Sequence, residues 1–223
     1  MPRRALPTSA ALFLSLAGSL ALSATAAADE NRRGIQVEGM VGGSACMNGR
    51  ADCHYDHVEF DGRTRPSFGT GLTIGARPLR WLMVGGMYRW GMFNSSYHTL
   101  SETDAYRWSG QHTAAVFIRP MIPVWRFDLG FNVAPGYSRQ VFRRNEGRDA
   151  DYSQGFAMLV GPTVDVYLTD RFFIGAEVDL VFNAHRESCR RRGGETSCTE
   201  QPQPSPAPTH QALFGLNFGW TFL

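Results

Sequence analysis

From Gly34 onwards the chain alternates apolar and polar residues in stretches of roughly ten, and helical periodicity is nearly absent. A period of two puts every second side chain on one face of a strand. Ile35, Val37, Gly39 and Val41 open the pattern, Phe68, Thr70, Leu72, Ile74 and Ala76 repeat it, and Leu82, Val84, Gly86, Tyr88, Trp90 and Met92 follow. Ala114, Val116 and Ile118 mark a weaker fourth stretch. The fifth is the clearest, running Trp125, Phe127, Leu129, Phe131, Val133, Pro135 and Tyr137. Phe156, Met158, Val160, Pro162, Val164, Val166 and Leu168 form the sixth, and Phe172, Ile174, Ala176, Val178, Leu180 and Phe182 the seventh. The eighth is "LFGLNFGWTFL", with Phe214, Leu216, Phe218, Trp220 and Phe222 on one face and Leu213, Gly215, Asn217, Gly219 and Thr221 on the other.

The connections alternate in length. Long segments (43–67, 94–110, 139–154 and 184–210) take turns with short ones at Pro78–Arg80, Pro120–Val124 and Thr169–Arg171. This rhythm predicts an all-β fold: eight antiparallel strands in an up-and-down meander, with four long loops at one end and three short turns at the other. The prolines of "QPQPSPAPT", residues 201–209, remove the donors a ladder needs, so this segment reads as the extended limb of the last loop.

Alternation alone leaves open which face is wet. The same pattern describes a soluble lipocalin-like barrel that binds a small molecule in an apolar interior, and a membrane barrel that is apolar outside. Three features favour the membrane. The less apolar face is rich in glycine (Gly69, Gly71, Gly75, Gly85, Gly130, Gly136, Gly161, Gly175, Gly215 and Gly219), which suits a crowded lumen better than a water-facing strand surface. Aromatics gather at the stretch ends, with Trp81, Trp125, Phe172, Trp220 and Phe222 beside the short turns and Phe68, Tyr88, Trp90, Tyr137, Phe156 and Phe214 towards the long loops, as two membrane interfaces select. Finally, no stretch reaches the roughly 18 apolar residues of a spanning helix that would halt export.

Composition adds a compartment. Arg3 and Arg4, an apolar run over residues 10–22 and "SATAAA" before Asp29 describe a secretory signal peptide over residues 1–28, leaving 29–223 as one barrel domain. Without the leader's two arginines, arginines and acids balance at 20 each, which argues against a nucleic-acid partner. The chain has no lysine. Four cysteines fall as two local pairs in polar segments, and in an exported chain the simplest reading is two loop disulfides, Cys46–Cys53 and Cys189–Cys198. Their spacings are not those of a zinc knuckle or ribbon.

The leader, the eight stretches, the "YLTDRFFIGAEVDL" turn (Tyr167–Leu180) and the aromatic last strand together resemble the small eight-stranded outer-membrane β-barrel family. The resemblance implies a transmembrane barrel in the outer membrane, with the long loops extracellular and the short turns periplasmic, surrounded by outer-membrane lipid and lipopolysaccharide. It further implies that the stripe Phe214, Leu216, Phe218, Trp220 and Phe222 is the signal read by the barrel assembly machinery. In this chain Leu223 follows the last aromatic as one extra residue.

Candidate chemistry is sparse. Alternation places Glu38, Asp128, Asp165, Glu177 and Asp179 inward with Arg77, Arg89, Arg119 and Arg126, and groups confined in so narrow an interior must pair across it. All six histidines (His54, His57, His98, His112, His185 and His210) fall in long loops or beside them. "CHYDH" offers His54, Asp56 and His57 to a metal, but no fourth ligand follows. "NSSYH" (94–98) and "NAHRES" (183–188) hold the residue types of a lipid-A-modifying enzyme without forming a defined motif. "CRRRGG" (189–194) sets three arginines where lipopolysaccharide phosphates could be held, against a solvated run balanced by Glu187, Glu195 and Glu200. The sequence therefore reads as a monomeric, non-enzymatic outer-membrane barrel without metal or cofactor, having a structural or surface-binding role and a plugged lumen. The alternatives are the soluble small-molecule-binding barrel and the lipid-A-modifying enzyme.

Overall fold

The computed structural model describes residues 32–47, 54–57, 60–99, 106–144, 149–200 and 210–222. The expected leader, Cys53 and residues 201–209 lie outside them. Eleven strands follow in order: β1 (Gly34–Cys46), β2 (His54–His57), β3 (Phe60–Arg65), β4 (Ser67–Leu79), β5 (Leu82–Thr99), β6 (Tyr106–Val124), β7 (Phe127–Arg144), β8 (Ala150–Tyr167), β9 (Phe172–Arg192), β10 (Glu195–Glu200) and β11 (Gln211–Phe222).

Eight of them close a ring. β4 through β9 pair antiparallel in sequence order, β11 pairs β9, and β1 joins the ends by pairing both β11 and β4. Gln36 of β1 thus faces Thr221 on one side and Gly75 on the other. Closure leaves the eight without an unpaired edge at barrel height. The remaining strands extend the wall: β3 continues along the top of β5, with Phe60 opposite Thr99 and β2 outside it, and β10 folds back on β9.

Burial follows the alternation in the belt. Gln36, Glu38 and Met40 are enclosed while Ile35 and Val41 are exposed; Asn217 and Thr221 are enclosed while Leu216, Phe218, Trp220 and Phe222 are exposed. The outer surface carries Val116, Ile118, Ile122, Leu129, Phe131 and Ile174, whereas the buried set is dominated by Arg, Asp, Glu, Asn, Gln, Ser and Thr. This surface is wrong for water and right for hydrocarbon.

The ends differ from expectation in two ways. Much of what the sequence marks as long loops is strand: β9 alone has 21 residues, against the roughly 9–11 that cross a bilayer. Its exposed apolar row ends at Phe182, so the segment 183–192 stands above the belt. These upper strands lack clear apolar alternation because neither face meets hydrocarbon, which is why they do not register as strands in the sequence. The second correction is the short turn expected at Pro120–Val124. β6 runs on to Val124, Trp125 and Arg126 make the turn, and Val124 pairs Phe127. A two-residue hairpin needs positive φ, and Trp125 supplies it at 53°, so this tryptophan does not begin a strand. Pro123 is tolerated because β6 outruns β5 there, the Met121 amide making the last bond across to the Trp81 carbonyl at 2.8 Å, and Pro120 falls where the β6–β7 ladder is interrupted between Ile118 and Met121. The other short turns centre on Arg80–Trp81 and on 168–171, where Thr169 Oγ1 accepts from the Phe172 amide at 2.9 Å.

The small barrel brings backbones into contact. A Cβ on Gly161 would fall onto the Val178 carbonyl oxygen of β9, and one on Gly42 onto the Phe214 carbonyl oxygen of β11. Gly86, on the lipid face, has nothing nearer than 3.9 Å. Gly161→Ala should therefore lower the yield of the compact species that migrates faster unheated than boiled on a detergent gel, while Gly86→Ala leaves it unchanged; equal yields would show that β8 and β9 can part without cost.

Candidate functional site: the barrel lumen and its rim

Glu38, Arg77, Arg89, Arg119, Asp128, Asp165, Glu177 and Asp179 all point inward and are at most a few per cent exposed. Arg119 of β6 is the hub. Its two terminal nitrogens donate to the two Glu38 carboxylate oxygens at 2.6 and 3.0 Å, its Nε donates to Asn132 Oδ1 at 2.7 Å, and Glu177 lies 4.0 Å away. Arg89 of β5 reaches Glu177 at 2.9 Å and Asp179 at 2.7 Å, and donates to Thr73 Oγ1 at 2.9 Å. Asn132 closes the circuit by donating to Asp179 Oδ1 at 3.2 Å. Asp165 accepts instead from a neutral group, Asn217 Nδ2, at 2.6 Å.

Nearer the short turns a second cluster forms around Asp128. Arg77 donates to one of its oxygens, and Arg32 to the other at 2.6 Å. Arg77 also donates to Tyr167 Oη at 3.2 Å, and Arg32 lies over the Tyr167 ring at 4.6 Å. Both guanidiniums tie down turn carbonyls, Arg77 that of Arg80 and Arg32 that of Trp125. Arg126, expected in this network, is not part of it: it occupies the β6–β7 turn, half-buried, with its guanidinium over the Trp125 ring at 5.7 Å. Its place is taken by Arg32. Lying before the first alternating stretch, Arg32 carries no periodic signal, and Asn132, Asn217 and Tyr167 are inward positions without formal charge.

A polar rim crowns the lumen. Gln111 Nε2 donates to Asn183 Oδ1 at 3.2 Å while Asn183 Nδ2 donates to Gln111 Oε1 at 3.0 Å, and Gln140 Nε2 donates to the same Gln111 oxygen at 2.8 Å. His185 sits between two serines, with Ser138 Oγ 2.6 Å from Nε2 and Ser153 Oγ 2.9 Å from Nδ1. Ser138 donates its proton to Asn183 Oδ1 at 2.6 Å. The network therefore assigns the imidazole proton to Nε2, which donates to Ser138, while Nδ1 accepts from Ser153. A serine in that position receives a hydrogen bond from the histidine and is not deprotonated by it. Burial, aided by His210, pushes His185 down to about 4.

The loop candidates resolve in part. Cys189 and Cys198 are bonded as a cross-strand pair of β9 and β10, closed by Gly193 and Gly194, both at positive φ. Cys46 is disulfide-bonded too, but the expected Cys46–Cys53 ring involves Cys53, outside the described residues. Of the "CRRRGG" arginines, Arg192 pairs with Asp151 at 2.9 Å and Arg190 approaches the same carboxylate at 3.5 Å. The side chains of His54, Asp56, His57 and "NSSYH" also lie outside the described residues.

No protein-family model and no curated protein sequence matches the chain. Solved structures do. A major outer membrane protein from Thermus thermophilus aligns over 85% of this chain and 98% of its own, at 11% identity and a TM-score of 0.56. The outer membrane protein OprG from Pseudomonas aeruginosa aligns over 86% and 98%, at 10% identity and a TM-score of 0.52. The chain has the fold of the eight-stranded outer-membrane β-barrels. At such identities the agreement of these outer-membrane barrels lies in strand order, closure and alternation, not in particular side chains.

Two outcomes follow from the lumen. Arg119→Met leaves Glu38 buried without its partner, which should cost about 3–5 kcal/mol in urea unfolding from lipid, and Glu38→Gln in the same chain should restore part of that loss. An unchanged midpoint in the single variant would mean that the pair is solvated. For His185 the depressed value means that the neutral form stabilises the fold: the contribution is complete above the ordinary 6.5 and is lost as pH falls towards about 4. The urea midpoint of the native chain should accordingly drop relative to His185→Gln across that interval, and parallel curves would count against a buried neutral imidazole.

Proposed function

We propose that the protein is an integral outer-membrane barrel whose lumen is closed by its own side chains, serving a structural or surface-binding role without enzymatic chemistry. The observation that carries this reading is the two-layer buried network, in which Arg32, Arg77, Arg89 and Arg119 each hold a carboxylate across the interior. An eight-stranded barrel has an interior about as wide as its own side chains, so charges paired across it leave no continuous water column. Closure of the ring without a free edge supports a monomer. The proton arrangement at His185, with Ser138 fully enclosed, supports a structural rim in preference to a nucleophile. The outward stripe Phe214, Leu216, Phe218, Trp220 and Phe222 supports recognition of the last strand by an assembly machinery during insertion.

The test is electrical. Purified protein that is heat-modifiable on a detergent gel should give no stable open-channel conductance in planar bilayers, and a large, persistent conductance from the intact barrel would overturn the closed lumen.

A further inference from the structure

The outer face carries one charged feature that the fold does not use. Arg139 of β7 lies on the lipid-facing row, between the enclosed Ser138 and Gln140, two residues above the exposed girdle residue Tyr137. Its cross-strand neighbours are His112 on β6 and Gln154 on β8. The guanidinium stacks on the Tyr152 ring at 4.0 Å, and its buried Nε has no hydrogen-bond partner. Among the described residues Arg139 forms no ion pair. Glu187, the carboxylate on the same row two strands away, accepts from Gln154 Nε2 instead. Two outward positions higher, beyond Val141, Arg143 lies over Trp108 at 5.6 Å, likewise without a carboxylate among the described residues. Beside them His112 stacks on Trp90, and its Nδ1 meets the Tyr88 hydroxyl. Acceptance there puts the ring proton on Nε2, a further donor.

Two guanidiniums at the edge of an apolar belt, stacked on aromatics and without a counter-charge among the described residues, suit an anion from outside the protein. Stacking covers one face of Arg139 and leaves the in-plane N–H edge for a planar or tetrahedral oxyanion. Just above the apolar belt, at the level of the lipid headgroups, that anion is a headgroup phosphate. Relying on the outer-membrane reading above, we propose that Arg139, Arg143 and His112 form a site for the phosphate of a phosphorylated glycolipid in the leaflet on the long-loop side. A zwitterionic phospholipid brings an ammonium that the arginines repel, whereas a sugar phosphate brings none and its ring can lie against Trp90 and Trp108. The "CRRRGG" hairpin is the poorer site, because Arg190 and Arg192 are already engaged by Asp151.

Native mass spectrometry of the folded barrel, with lipid A, enzymatically dephosphorylated lipid A and phosphatidylglycerol as probes, tests the site. The native chain should retain lipid A in preference to both other probes. Arg139→Gln with Arg143→Gln should weaken lipid A binding about tenfold or more, as loss of charge-assisted hydrogen bonds implies, while Arg190→Gln leaves it unchanged. Equal retention of dephosphorylated lipid A, equal retention of phosphatidylglycerol, or full binding by the double variant would each overturn the proposal. Heat-modifiability is recorded for every variant, so that a barrel that folds in lipid but ignores the phosphate refutes this site alone. Failure of the native chain to fold in lipid would instead refute the outer-membrane reading on which it rests.

Discussion

Closing eight strands on themselves decides almost everything else in this molecule. A ring of that size encloses little more than the side chains pointing into it, and its outer surface meets hydrocarbon. Polar groups are therefore sent to the interior, where each finds another protein group or remains costly. Arg119 answers with a bidentate hold on Glu38, and Arg89 with one guanidinium shared between Glu177 and Asp179. In each case the partners come from strands far apart around the ring, so the interior ties together walls that backbone hydrogen bonds join only to their immediate neighbours. Asp128, held by both Arg32 and Arg77, does the same at the short-turn end, where those two arginines also donate to the carbonyls of two turns.

The same constraint explains the glycines and the aromatics. Where large guanidiniums fill the centre, the wall beside them must be thin: Gly71 lies against the Arg89 side chain and Gly130 against that of Arg119. Outside, the large apolar residues have nothing to pack on but lipid and one another, as Phe172 does against Trp220 at 6.1 Å near the short turns. The barrel is thus a soluble protein's pattern turned inside out, with packing precision moved from an apolar core to a polar one.

Period-two alternation carried the strand count, the antiparallel order, the facing of each strand and eight of the nine inward charges, because a residue's parity along a strand is a local property. What parity could not carry is anything lacking lipid on one side. The upper parts of β7 to β9 alternate between two polar environments and leave no trace in hydropathy, and the fully exposed β10 is a short hairpin arm of the same kind. The prolines at 120 and 123 misled for a related reason: they signal a turn where both ladders are complete, but at Pro120 the β6–β7 ladder is interrupted and at Pro123 β6 has outrun β5. Arg126 was placed inward by parity, yet a turn with positive φ at Trp125 breaks the parity one residue before it. Arg32 precedes the first periodic residue, so its role emerges only from the ring that brings the start of β1 beside the β6–β7 turn.

The balance of charge inside bears on what the lumen can transmit. Five acids face four arginines, and the unmatched Asp165 leans on the Asn217 amide. A surplus carboxylate in a barrel invites the idea of a path for protons or cations, which would require solvated groups from one mouth to the other. Along the wall that holds Asp165, however, the polar residues are interrupted. Moving up β8 the inward positions pass from Asp165 and Thr163 through Gly161 to Leu159 and Ala157 before Ser153 is reached. On β7 Ala134 separates Asn132 from Ser138, and on β9 Val181 separates Asp179 from Asn183. These side chains belong to one buried apolar cluster with Met40, Met87, Ala115 and Leu213, drawn from the opposite walls. A dry layer of that kind imposes a desolvation cost of several kcal/mol on any bare ion crossing between the charged network and the rim, and it offers a proton no hydrogen-bonded chain. The apolar layer thus adds to the salt bridges below it in support of the closed lumen proposed above.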